Sequence, residues 1–413
     1  ADPARRGLLY CGTETGIYIS FDDGAVWQPF QSNLPVVPIH DLLIKDNDLI
    51  AATHGRSFWV LDDLTPLHQI SDQLAESPAA LLKPRDVYRL RPALGAGWFR
   101  SEGIKNYTLA LGFAATYIDQ AGPNGKKIRT YLDAGKNPPD GLVVHYYLQE
   151  VPEGDVALTF RDANGAEIKR VTPKPDDPAA VDEEEKGPWM PVVAGMNRFV
   201  WDMCYPDATK VTDDPMTERS QTGPLASPGS YQVELLVGDQ TFTQSFAILK
   251  DPRVDATAED FAAQFELMIK IRDKLSETHA AINRLRSVRA QVQEWVSRTE
   301  GQADYGAVKE AAQPLIDKLS AIEEELIQTK ATTPFDMIAL TTKLNAKLAA
   351  LTSVVASADA APTQQAYDVF ADLSGRIDCQ LEALRAVMTS DLTAFNDLVR
   401  RMEVPAVIPP TLE

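Results

Sequence analysis

Cysteine is scarce in this chain of 413 residues: only Cys11, Cys204 and Cys379 occur, far apart in the sequence. That excludes a disulfide-dense scaffold and any CxxC metal knuckle. The five histidines, His40, His54, His68, His145 and His279, show neither HExxH nor HxH spacing. No metal or cofactor site is expected from such a set. Basic residues are in deficit, with 40 Lys and Arg against 59 Asp and Glu and a net charge of −19. Nonspecific attraction to nucleic acid or an anionic membrane is therefore not expected. The apolar runs all fall short of the ~20 residues of a membrane-spanning helix. Glycine-rich phosphate loops are missing too, because Gly95-Ala96-Gly97 lacks a following helix and lysine. What is plentiful is apolar side chain, 44% of the residues, which rules out a disordered chain.

The first seventy residues read as short strands. Gly7–Gly12 and Gly16–Ser20 flank a turn, Asp22-Asp23-Gly24 leads into Val26–Phe30, and strands are predicted over Ile39–Lys45, Asp48–Thr53, Ser57–Leu61 and Leu67–Ile70. This is the rhythm of propeller blades, and so few strands cannot close a propeller of roughly four to eight blades. Residues 1–70 are thus expected to be the last blades of an incomplete β-propeller. A missing N-terminal propeller segment or a companion chain would complete it. Residues 71–104, with Pro78, Pro84 and Pro92, read as a linker.

Residues 105–250 hold seven or eight alternating strand candidates, with hairpin turns at Asp162–Gly165 and Val237–Gln240. That pattern suits an immunoglobulin- or fibronectin-like β-sandwich. Pro173–Trp189 interrupts it with Asp176, Asp177, Asp182, Glu183, Glu184 and Glu185, and reads as a solvated loop, because the order of a calcium loop is lacking. Over residues 255–403 the apolar period changes to about 3.6. Thr257 is the expected N-cap, followed by the stripe Phe261, Phe265, Met268, Leu275, Ile282, Leu285, Val292 and Trp295. Further stripes run Val308–Leu326, Met337–Val355 and Phe370–Phe395, which predicts an antiparallel four-helix bundle. Residues 404–413 read as an extended tail. The predicted class is multidomain β + α.

Ser20-Phe21-Asp22-Asp23-Gly24-Ala25-Val26-Trp27 matches the Asp-box pattern S-x-D-x-G-x-T-W, with Val26 in place of threonine. Its chemistry points to folding. Asp22 can accept backbone N–H groups across a hairpin, Gly24 permits a left-handed turn, and Trp27 packs beneath, with Ser20 completing the box. With Gly7–Gly16, Thr53–Asp63, Asn137–Gly141, Asn197–Asp202, Pro228–Tyr231 and Asp251–Arg253, the chain resembles the C-terminal part of large bacterial BNR-repeat proteins. These are sortilin-like propellers often labelled glycosyl hydrolases. The resemblance implies an exported protein, secreted or periplasmic.

Two functions follow from that resemblance. The first is a polysaccharide- or protein-binding and scaffolding module. The second is an accessory part of a glycoside hydrolase whose active site lies mainly in missing blades. Such chemistry needs two carboxylates facing one sugar at a defined separation. Asp22-Asp23 and Asp62-Asp63 are adjacent, and neighbours on a strand point to opposite faces, so no catalytic residue is assigned. His54 and Arg56 flank a glycine at a strand connection and are the candidate ligand contacts, Arg56 offering a planar donor fork. His279, on the first bundle helix, reads as a satisfied boundary histidine, and the three cysteines read as small buried hydrophobes.

Overall fold

A computed structural model describes residues 1–90, 105–110, 113–121, 127–131, 138–175, 187–217, 221–299 and 306–403. The end of the predicted linker, the acidic run 176–186 and the tail 404–413 lie outside the described residues. The chain combines mixed β sheets with helices. Its contacts separate it into two units, one of Ala1–Lys174, Trp189–Asp202 and Gly229–Asp251, the other of Pro175–Pro188, Met203–Pro228 and Pro252–Glu413.

The β-rich unit opens with two antiparallel meanders. The first is β1 (Leu9–Thr13), β2 (Gly16–Ser20) and β3 (Gln28–Pro29), and the second β4 (Ile39–Lys45), β5 (Asp48–Thr53) and β6 (Phe58–Leu61). Ile17, Ile39, Leu49, Ala51 and Leu64 form their shared core. The strand predicted over Leu67–Ile70 is instead part of the short helix α1 (Thr65–Gln69), where Pro66 presets the first turn and Asp63 Oδ1 accepts the Thr65 N–H at 3.1 Å. After α2 (Asp72–Glu76), the predicted linker contributes two strands, β7 (Ala79–Leu81) and β8 (Val87–Arg89). Pro78 and Pro84 sit outside both of them, where no ladder N–H is needed.

A separate sheet holds β9 (Lys105–Ala110), β10 (Phe113–Ala121) and β11 (Lys127–Tyr131). The remaining strands are β12 (Leu142–Leu148), β13 (Val156–Arg161), β14 (Glu167–Val171), β15 (Gly195–Trp201), β16 (Gly229–Val237) and β17 (Gln240–Lys250). They form sheets ordered β15-β12-β7 and β14-β13-β16-β17-β8, with β8 parallel to β17. Buried and partly exposed residues alternate perfectly along β12, the period of a strand with one face in the core. Trp201 stacks on Phe160 at 4.5 Å and meets Phe246 edge-on at 6.2 Å, so side chains of the two sheets share one core. Gly141 has φ +146°, and a Cβ there would lie 2.3 Å from the Trp201 carbonyl oxygen. Only glycine fits so close to that strand.

The other unit is built on α3 (Ala258–Thr299), α4 (Gly306–Leu326), α5 (Leu344–Val355), α6 (Gln364–Ala386) and α7 (Leu392–Arg401). Thr257 and Asp260 form a capping box at the start of α3: Thr257 Oγ1 accepts the Asp260 N–H at 3.2 Å and Asp260 Oδ2 accepts the Thr257 N–H at 2.9 Å. Ile271, Ile282, Leu285, Leu319, Leu348 and Ile377 are fully buried together. Pro314 lies within α4, and Met337 falls in a 3₁₀ turn (Pro334–Ile338) rather than on the helix. The stripe Phe370–Phe395 is broken by a π turn at Val387–Asp391. There Thr389 and Ser390 donate to the carbonyls of Arg385 and Ala386, one turn back, and compete with the helical ladder. Ala208 and Val211, expected within the 105–250 sandwich, join the helical core instead. Among the described residues no helix is long and apolar enough to cross a membrane.

Residues 207–217 are held to the helices by buried polar groups. His279, fully buried, donates from Nδ1 to the Thr209 carbonyl at 2.6 Å. Its Nε2 therefore accepts, from Asn345 Nδ2 at 3.4 Å. Asn345 Nδ2 also donates to Asp214 Oδ2 at 2.8 Å, and Asp214 Oδ2 accepts the Thr217 hydroxyl at 2.6 Å. Burial pushes the His279 pKa below its ordinary 6.5, while the Thr209 carbonyl and the Asp214 carboxylate oppose the shift. The neutral ring is the native form. Stability of this unit should be complete above pH ~6.5 and fall as pH drops toward the depressed native value, where only the unfolded chain has taken the proton. A thermal-unfolding series from pH 7.5 to 5 (range about 2.5 units) checks this, and His279→Gln should flatten it.

A second buried group is Glu323, 2% exposed, which accepts from Arg286 Nε at 2.6 Å and from Arg289 Nη1. Glu323→Leu leaves two guanidiniums facing each other without their carboxylate. It should cost about 3 kcal/mol, at the low end for a broken buried pair because both arginines reach solvent. The denaturant midpoint followed by far-UV circular dichroism measures it. Glu323→Gln, which keeps one acceptor, should cost less.

Candidate functional site

The Ser20–Trp27 turn forms from local contacts. Ser20 Oγ donates to Asp22 Oδ1 at 2.8 Å and accepts the Gly24 N–H at 2.9 Å, while Asp22 Oδ1 accepts the Val26 N–H at 2.9 Å. The Val26 N–H, then the Ser20 hydroxyl, hold the Asp22 carboxyl below its ordinary range. Gly24 takes φ +90°, and the Trp27 ring lies about a van der Waals contact from where its Cβ would be. Ser20 Oγ and Asp22 Oδ1 are thus spent on bonds within the turn.

His54 and Arg56 occupy the open β5–β6 connection, and both are exposed. The His54 N–H donates to the Pro38 carbonyl at 2.9 Å, and the Arg56 carbonyl accepts from Trp59 Nε1 at 3.0 Å. The His54 ring lies 4.9 Å from that of His40. The guanidinium of Arg56 pairs with no carboxylate among the described residues. Cys11 and Cys379 are also exposed, contrary to the expectation of burial, because Cys11 is on the outward side of β1 and Cys379 on the outward side of α6.

A denser cluster lies where the meanders meet the larger sheets of the same unit. Asp48 Oδ1 accepts from Arg85 Nη1 at 2.7 Å and from the Asp63 N–H at 2.9 Å. Arg85 Nη2 donates to the Asp46 carbonyl. Asp63, at φ +63°, turns the chain out of β6, and its Oδ1 accepts the Thr65 hydroxyl at 2.6 Å. Asp62 keeps solvent access, yet its pKa is raised, first by lost hydration and then by the Asp48 carboxylate. Arg198 and Arg85 offset part of that shift. His145 faces Arg198 across the β12–β15 pair. Burial lowers its pKa, Asp63 opposes and Arg198 reinforces the shift. Cations and carboxylates thus alternate here.

Beside this cluster runs an open groove of about 820 Å³, lined by residues of the β4–β5 turn, α1 and the segment Lys83–Tyr88. Asp46, Asp48, Lys83, Arg85, Asp86 and Tyr88 all line it. Neither His54 nor Arg56 does. Reasoning from sequence missed these residues because Asp48 and Arg85 are 37 positions apart and share no motif. A comparison of the chain with protein-family models, curated proteins and solved structures finds no match.

Raised carboxyl pKa values carry a sign that can be tested. Ionised Asp62 is disfavoured in the folded chain, so its penalty is absent below its ordinary 3.8 and complete once pH exceeds the raised native value. Asp62→Asn should therefore raise the unfolding midpoint at pH 7 and leave it unchanged near pH ~3. Thermal melts at the two pH values measure the difference. A destabilised variant at pH 7 would mean that Asp62 is held as a favourable anion.

Proposed function

We propose that the chain is the end of an exported Asp-box-repeat propeller protein, joined to a β-sandwich and an antiparallel helical bundle. Its role is that of a binding or scaffolding module for polysaccharide or polypeptide. The Ser20–Trp27 turn and the two successive meanders support the propeller part. The sheet β4–β6 is apolar on both faces. Leu42, Ala51 and Trp59 face the shared core, whereas Leu43, Val60 and Phe58 on the other face are 55%, 53% and 73% exposed. A sheet with two apolar faces suits a blade that lies between two others, so a further propeller segment or a companion chain is part of this proposal.

The observation that carries binding over turnover is the state of the carboxylates. Asp48 and Asp63, which press on Asp62, are committed to a guanidinium, to the backbone and to a hydroxyl. With both so committed, neither neighbour is free to serve as the partner carboxylate that glycoside hydrolysis requires. The raised pKa of Asp62 is what favours the second reading, an accessory part of a glycoside hydrolase, because a raised carboxyl suits a general acid.

Co-sedimentation of the purified chain with insoluble polysaccharides and with an unfolded polypeptide, alongside a reducing-sugar assay, separates the two readings. Binding without release of reducing ends is the expected result. Release that disappears in Asp62→Asn would establish the hydrolase reading. No retention on any of these materials would remove the binding reading.

A further inference from the structure

The groove beside Asp48 combines three features. It is open, and its volume of about 820 Å³ falls within the range of small-molecule sites, ~300–1,000 Å³. Its walls are held in place by their own hydrogen bonds. Gln69 clamps the Lys83 backbone in both directions, accepting its N–H at 2.7 Å and donating to its carbonyl at 2.9 Å. Asp86 Oδ1 is fixed by the Ala247 N–H at 2.8 Å, and Arg85 by Asp48. The third feature is Tyr88, which sits opposite Leu249 in the β8–β17 pair and leaves 49% of its surface exposed.

The charges define what could bind. Asp46, Asp48 and Asp86 face the groove with Lys83 and Arg85, so acceptors and donors lie side by side. A phosphate or sulfate would meet three carboxylates, and a divalent cation would meet an ammonium and a guanidinium. A neutral molecule with many hydroxyls meets neither obstacle. Each hydroxyl both donates and accepts, and so satisfies carboxylate and ammonium neighbours together. The apolar C–H face of a pyranose ring also matches an exposed aromatic ring.

We propose that this groove is a subsite for a neutral oligosaccharide, with Tyr88 stacking on a pyranose ring and Asp46, Lys83 and Asp86 binding its hydroxyls. The Asp48–Arg85 pair braces the floor as a positioning element. This assignment rests on the binding reading above and gives it a ligand class.

The test uses the full chain and four soluble probes, cellohexaose, xylohexaose, mannohexaose and maltohexaose, titrated by calorimetry. At least one should bind with Kd below about 1 mM, and Tyr88→Ala should weaken it at least tenfold, about 1.4 kcal/mol. Tyr88→Phe keeps the ring and should bind as the parent does. Unchanged thermal midpoints show that the variants fold. Absence of binding to all four probes overturns the subsite, as does full binding by a folded Tyr88→Ala. If co-sedimentation with polysaccharide or polypeptide persists in either case, only the groove assignment fails. If that too is absent, the binding reading fails with it.

Discussion

Trp201, 1% exposed, stacks on Phe160 and meets Tyr231 and Phe246 edge-on, and the β-rich unit depends on this contact. Truncating so large a buried ring costs about 3–5 kcal/mol, a large share of the stability of any domain. Because Trp201 is on β15 and its partners are on β13, β16 and β17, one side chain sets two sheets against each other. The outer edge of the five-stranded sheet then carries β8 beside β17. That pairing places Tyr88 in the groove and lets Arg85 reach Asp48. The candidate site is therefore a consequence of the aromatic core, although it shares no residue with it.

The helical unit solves a different problem. Apolar stripes alone permit neighbouring elements to slide or repack at modest cost. Residues 207–217 have no regular secondary structure to register them, and the bonds from Thr209, Asp214 and Thr217 to one another, His279 and Asn345 supply direction. Burying these groups is tolerable only because their hydrogen-bonding capacity is used. Glu323 follows the same logic with charge. Its desolvation is offset by two guanidiniums, each held through a direct hydrogen bond.

The parts of the site that were legible in the residues are those with local causes. The Ser20–Trp27 turn spans eight residues, so the serine, aspartate and glycine needed for its hydrogen bonds occur together. The helix α1 overlaps a stretch whose spacing predicts a strand, although Pro66 after Asp63 is a helix-start signal, because the apolar spacing of Leu64, Leu67 and Ile70 is too short to distinguish the two periods. Asp62 and Asp63 were legible as a pair but not in their roles. Asp63 leaves the strand through a positive φ, and Asp62 is left with the repulsion of Asp48.

Periodicity along the chain by itself determined the longer strands and the long helices, and the change of period near Asp251 determined that β and α regions follow one another. These properties depend on residues within one or two turns of each other, where side-chain direction is set by the backbone alone. Only the tertiary structure decided that the predicted linker supplies β7 and β8, that residues 203–228 pack with the helices, and that Asp48, Arg85 and Tyr88 line one groove. Such partners meet through sheet pairing and core packing between elements tens of residues apart, and no pattern in either partner encodes the other.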